Sequence, residues 1–254
     1  MEIYIYIMIF ILGSSIGSFL NVTAMRLSNN QSILWPSSHC DNCNHKLRWY
    51  EMIPILSYII QRGKCNCCKS RIPISAFIIE LVTGILYMVS YHSFGFSYDL
   101  VISLIFISSL IVLIVSDIEY MIILDEIIAV SSIAIIILDL IFFGLSYTAD
   151  KIVNGILAFL LMYMVKLIGD KIFKRESMGG GDIKLMFFCG LVIGFYLSIC
   201  NIFLATFIAF PVALYMLFRR KDNLIPFGPF LAMAAILIHI SKIDINTVID
   251  LLIK

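Results

Sequence analysis

The sequence predicts an all-α polytopic membrane protein, with about eight transmembrane helices and a small cytoplasmic zinc-knuckle loop. Three observations predict it. Of 254 residues, 61% are hydrophobic and 14% charged, and the mean hydropathy of +1.01 is far above that of an ordinary globular domain. Apolar runs close to the roughly 20 residues that cross a bilayer recur along the chain. Lys and Arg are segregated into a few connecting segments rather than spread evenly.

The first apolar segment, 3–25, has no basic n-region and runs on into Asn21 and Arg26 without a small-residue cleavage site, so it is expected to be a retained helix. After a polar loop at 26–74, helices are expected at 75–92, 99–116, 124–143, 151–168, 183–195, 197–218 and 225–241. The run 185–218 is too long for one crossing at about 1.5 Å per residue, which places a break near Gly194. The expected division is a first helix (1–25), a cysteine-rich metal loop (26–74) and a membrane core (75–254).

Cytoplasmic loops carry the excess of basic residues. Loops 26–74, 169–182 and 219–223 fall on one side and hold Arg26, Lys46, Arg48, Arg62, Lys64, Lys69, Arg71, Lys171, Lys174, Arg175, Arg219, Arg220 and Lys221. The other side holds Lys151, Lys242 and Lys254. The N-terminus is therefore expected outside and the long loop in the cytoplasm. The net charge of +1 says little about partners, because the charge is segregated rather than absent.

The loop contains C-x2-C at Cys40 and Cys43, a spacer of 21 residues, and C-x2-C at Cys65 and Cys68. Two such knuckles close a tetrahedral four-sulfur site that suits zinc in a structural role, since four thiolates leave no open position for water. Disulfides are the bland alternative, disfavoured in a reducing compartment. Cys67, His39 and His45 are minor ligand candidates. Cys189 and Cys200, alone in apolar helices, are expected to pack.

Asp117 closes one apolar helix in "IVLIVSDIEYMIILDE", and Asp182 opens another in "SMGGGDIKLMF"; the topology puts both at the cytoplasmic face. Ionisable residues at membrane depth line polar cavities or pair with another group. Two carboxylates brought together share one proton, an arrangement suited to hydrolysis of a peptide bond: the ionised acid takes a proton from water while the protonated one polarises the carbonyl. Gly179, Gly180 and Gly181 would relax backbone constraints and let a substrate strand approach. Alternative readings are a helix-end carboxylate, an interfacial acid and a plain hinge, or a proton-relaying transporter.

"GSFLNVTAMRL" at 17–27, the paired knuckles with "LRWYEMIPILSYIIQRGKC" between them, "IELVTG" at 79–84, "SDIEYMIILDE", "GGGDIKLM" and "IPFGPFLA" at 225–232 occur in one order along nearly the whole chain. Together they resemble the type IV prepilin peptidases. The resemblance implies an eight-helix G-x-G-D membrane aspartic peptidase of the bacterial cytoplasmic membrane. Such an enzyme removes the short basic leader of prepilins or pseudopilins, then methylates the new N-terminus with S-adenosylmethionine. It places the catalytic aspartates at Asp117 and Asp182 and the metal ligands at Cys40, Cys43, Cys65 and Cys68. Leu124 stands where the family usually has proline, Glu51 where it has Asp, "CDNC" lacks a proline after its first cysteine, and Cys67 is additional.

Residues 117–126 carry Asp117, Glu119, Asp125 and Glu126 and no Lys or Arg, a surface suited to attracting a basic leader; helix-end electrostatics is the alternative. Glu80, Asn21 and Arg26 are expected to form a polar contact within the bundle. No Rossmann-type glycine motif accounts for methyl-donor binding, and Lys184 has no expected role. Partners are expected to be the prepilin-like substrate and the lipid bilayer, with no nucleic acid. The competing functions are a peptidase without methyltransferase activity and a carboxylate-lined transporter.

Overall fold

The computed structural model describes residues 2–40, 42–174, 176, 178–218 and 226–243. Its regular structure is helical: α1 (Glu2–Ser28), a short α2 (Leu56–Ile60), α3 (Ile74–Phe94), α4 (Tyr98–Tyr120), α5 (Asp125–Phe173), α6 (Gly180–Ile193), α7 (Phe195–Phe218) and α8 (Gly228–Ser241). Each of the eight predicted apolar segments is helical over most of its described length; residue 225, where the last was expected to begin, lies outside the described residues, and that helix starts at Gly228. Segments 124–143 and 151–168 are two arms of the 49-residue α5, which bends at Gly144 (φ 80°, ψ −178°) instead of opening into a loop. The predicted break at Gly194 occurs there, with φ 85° and ψ 164°. Both glycines occupy a backbone region essentially closed to other residues. Five helices are long and apolar enough to cross a membrane, whereas α6 and α8 have 14 residues each.

The chain divides by packing into two units, residues 1–100 and 101–254. In the first, α1 lies against α3. A Cβ on Gly13 would come within 2.8 Å of Tyr87, one on Gly17 within 2.7 Å of Thr83, and one on Gly84 within 2.8 Å of Phe10. The spacing G-x3-G on α1 thus removes side chains where the two backbones meet, which is how helices associate where lipid offers no hydrophobic drive. The expected contact between Glu80 and Arg26 does not form. Glu80 accepts a hydrogen bond from the backbone N–H of Ile55 at 2.7 Å, and Arg26 donates to the carbonyls of Ser32, Ile33 and Pro36.

In the second unit α4, α6 and α8 form the interior. Phe106 of α4 meets Phe188 of α6 and His239 of α8; Leu110, Leu185, Met186, Leu231 and Ala235 are fully buried. Many side chains of α5 and α7 point outward, among them Ile141, Phe142, Phe203 and Phe207, as apolar faces do against lipid. Where α5 bends, buried Asp139 on one arm pairs with Lys151 on the other at 3.5 Å. Residues 144–150, left between two predicted helices, are helical because the chain continues past Gly144 without unwinding. Cys189 is buried and Cys200 partly so, and neither is bonded to another cysteine.

Candidate active site and metal centre

Asp117 lies in the last turn of α4, and Asp182 is the third residue of α6. They are only 6% and 7% exposed. Both converge on Gly228, the first residue of α8: an ideal Cβ there would stand 2.5 Å from Asp117 Oδ2 and 3.2 Å from Asp182 Oδ1. The Gly228 amide also hydrogen-bonds Asp117. The two carboxylates therefore face one small volume that a methyl group would fill.

The connection between α4 and α5 shapes this volume. Met121, at φ 56°, donates its N–H to the Asp117 carbonyl at 3.0 Å, a left-handed cap that turns the chain back directly after the helical turn carrying Asp117. The turn wedges Ile123 between two helix starts. A Cβ on Gly181 would lie 2.6 Å from Ile123 Cβ, and one on Gly228 3.0 Å from Ile123 Cδ1. A Cβ on Gly180 would meet nothing within 4 Å, and one on Gly179 would reach only Asp182 Oδ2, at 3.9 Å. Gly179 has an ordinary φ of −68°, and among the described residues none of the three is at positive φ. The expectation of unusual backbone conformations is thus corrected: Gly181 provides space for Ile123, and the exposed Gly179 and Gly180 leave an open approach.

Lys184, without a role in the sequence, forms an ion pair with Asp125 at 2.6 Å. Each is about half exposed, and the pair ties the second turn of α6 to the first turn of α5. Asp125 is therefore engaged internally. Glu119 and Glu126 are exposed and make no ion pair among the described residues.

The sulfurs of Cys40, Cys43, Cys65 and Cys68 all lie within 4.8 Å of one another. Cys40–Cys68 and Cys43–Cys65 separations are 3.8 and 3.9 Å. A tetrahedron with metal–sulfur bonds of about 2.3 Å has edges of about 3.8 Å, so the cluster fits a metal ion. The knuckles repeat one construction: antiparallel bridges His39–Lys46 and Lys64–Arg71, with Asn44 and Lys69 at positive φ. The Asn42 amide and the Ser70 hydroxyl hold the Cys40 thiol down to about 6, and Ser70 also lowers Cys68. Cys43 moves up to about 12: the His45 amide lowers it, but burial and the other sulfurs outweigh that. Four thiolates at this range need a cation between them. Cys67 is exposed and outside the cluster. His39 bonds the Ser37 carbonyl through Nδ1 and His45 meets Glu51 through Nε2, and neither histidine belongs to the cluster.

Glu51, absent from the expected site, joins the knuckles. One oxygen accepts from the Arg48 amide at 2.8 Å and meets His45 at 3.3 Å; the other accepts from Asn66 at 2.7 Å. The Arg48 amide first, then Asn66, holds its carboxyl below the usual range. Its only signal in the sequence is an acid midway between the cysteine pairs.

Residues 11–94 match the family model of the bacterial peptidase A24 N-terminal domain, and residues 104–214 that of the type IV leader peptidase family. Three relatives are each named prepilin leader peptidase/N-methyltransferase. The Bacillus subtilis protein is 32% identical over 91% of this chain and 92% of its own length. The Vibrio cholerae protein is 30% identical, with 94% and 98% covered. The Myxococcus xanthus protein is 35% identical over 72% of this chain but only 55% of that longer relative. No solved structure matches the chain.

Proposed function

This chain belongs to the type IV leader peptidase family, and on that premise we propose that Asp117 and Asp182 are the carboxylates with which it cleaves prepilin leaders. The observation that carries this assignment is the convergence of both side chains on Gly228. A scissile peptide entering past the exposed Gly179 and Gly180 places its carbonyl against the protonated aspartate. The ionised one takes a proton from the attacking water, and the tetrahedral intermediate collapses as that proton reaches the leaving amine. No covalent enzyme intermediate forms. A carboxylate-lined transporter does not fit a leader peptidase family.

The enzyme is also an N-methyltransferase toward the exposed amine. A free α-amine ordinarily titrates at about 7.7–8.0, which leaves a neutral fraction at cytoplasmic pH; S-adenosylmethionine is the methyl donor we infer. The four cysteines hold zinc structurally, stabilising a loop too small to build its own core. Substrates are prepilins or pseudopilins, and the site faces the cytoplasm with the N-terminus outside. By function the peptidase core spans 75–254, although α3 packs with the first unit.

Purified protein incubated with a prepilin-like substrate should yield the shortened product and an added methyl mass. Asp117→Asn and Asp182→Asn should each lower cleavage on the order of 10²–10⁴-fold with helical content unchanged. Full cleavage by either variant rejects the shared-proton mechanism.

A further inference from the structure

Residues 49–60, "WYEMIPILSYII", sit between the cysteine pairs and are an unusual thing to find in a polar loop. Their one charge, Glu51, points inward to the knuckles, while Trp49, Met52, Ile53, Leu56, Ile59 and Ile60 are exposed, Trp49 at 76%. Contiguous apolar exposure of this kind marks a surface that something covers.

The backbone shows at what depth it lies. Ile55 sits at φ 63°, a strained conformation for a β-branched residue, and its N–H is held by Glu80 Oε2 at 2.7 Å. Tyr58 packs on Phe77, ring centroids 5.1 Å apart. Both partners are on α3, whose 21 residues extend about 31 Å, the thickness of a bilayer's hydrocarbon core. Glu80 lies six residues beyond Ile74, about 9 Å in from that end. Interfacial segments bury their apolar faces about 5–10 Å. The same contact explains an acid inside α3: it satisfies a non-helical amide where water is scarce.

Charge points the same way. Lys46, Arg48, Arg62, Lys64, Lys69 and Arg71 are exposed on this loop, and its only described carboxylate is the buried Glu51. Basic side chains near an anionic leaflet are attracted to its headgroups. We propose that residues 49–60 are seated in the bilayer interface and that the surrounding cations bind anionic phospholipid headgroups, making the cysteine loop a lipid-attached element. This goes beyond the peptidase assignment and does not depend on it.

The chain has two tryptophans, Trp35 and Trp49, both in this loop, so its tryptophan fluorescence, excited selectively over tyrosine, reports on the loop alone. Trp35→Phe protein is reconstituted into phosphatidylethanolamine–phosphatidylglycerol vesicles containing phosphatidylcholine brominated high on its acyl chains. Most Trp49 emission should be lost to the bromines and little to aqueous iodide. Quenching by iodide without quenching by bromine overturns the proposal, as does a complete lack of bromine quenching in the wild-type protein, so the result does not hinge on the variant folding. In vesicles of phosphatidylcholine alone, bromine quenching should weaken, and Arg62→Gln/Lys64→Gln/Lys69→Gln should reduce this dependence on lipid charge. Equal quenching of the wild type in both lipids rejects the headgroup half.

Discussion

At Gly228 the lack of a side chain leaves room for two carboxylates that a methyl group would displace. The carboxylate oxygens of Asp117 and Asp182 already stand at 2.5 and 3.2 Å from where a methyl group would be, so Gly228→Ala must push one or both aside. Misplacing reacting groups by about 1 Å can cost about 10²-fold in rate. Gly228→Ala should therefore lower kcat by about that factor, while Gly180→Ala, whose Cβ meets nothing within 4 Å, stays close to wild type. Comparing cleavage rates at equal far-ultraviolet helical signal checks the contrast; equal rates for the two variants would remove Gly228 from the site. The aspartates themselves were legible in the sequence, because a charge at the end of an apolar helix is conspicuous. The role of Gly228 was not. It lies 46 residues from Asp182 in the chain, and only folding brings a small residue to where two acids meet. Ile123 was hidden for the same reason, being one aliphatic residue among many.

Among the elements, α5 and α6 are joined at their starts by Asp125 and Lys184. An exposed pair of this kind contributes about 0–1 kcal/mol to stability, so its importance lies in orientation: α6 carries Asp182 one residue beyond Gly181. The acidic loop thus divides into Asp125, neutralised by Lys184, and Glu119 and Glu126, which are open to a basic leader. Glu119→Lys should slow cleavage of a basic-leader substrate at low salt, with the deficit shrinking as ionic strength rises and the Debye length falls to about 8–10 Å. Asp125→Lys should instead give a deficit that persists at high salt and is relieved by the reciprocal Lys184→Asp. A salt-insensitive Glu119→Lys enzyme would refute steering. Element boundaries were largely legible: the length of the run 185–218 required a break, and Gly194 was the residue able to make it. The continuity of α5 was not legible, because Gly144 and the charged Asp150 and Lys151 suggest a break between two helices until Lys151 is seen paired with Asp139 across the bend.

For the whole molecule, orientation in the membrane decides which compartment the site serves. The fold class was plain from hydropathy, and the charge segregation predicts an orientation; Arg175, Arg219, Arg220, Lys221 and Lys254, which contribute to it, lie outside the described residues. The 14-residue α6 and α8 are about 21 Å long against a hydrocarbon core of about 30 Å. Either the bilayer thins around them or one end of each is recessed. Asp182 and Gly228 sit at their N-terminal ends, and hydrolysis needs water there, so a recessed, wetted mouth at that face suits the chemistry. That face should be the cytoplasmic one, the side where a leader still attached to its prepilin is found. Cys67, exposed and outside the four-cysteine cluster, tests the side taken by the cysteine loop, which the basic residues predict to be cytoplasmic. A membrane-impermeant maleimide should label Cys67 in inverted vesicles and not in intact spheroplasts, and Cys67→Ser should abolish the label, the four clustered cysteines being shielded by the zinc proposed above. Labelling from the periplasmic side would reverse the orientation that the charge segregation predicts.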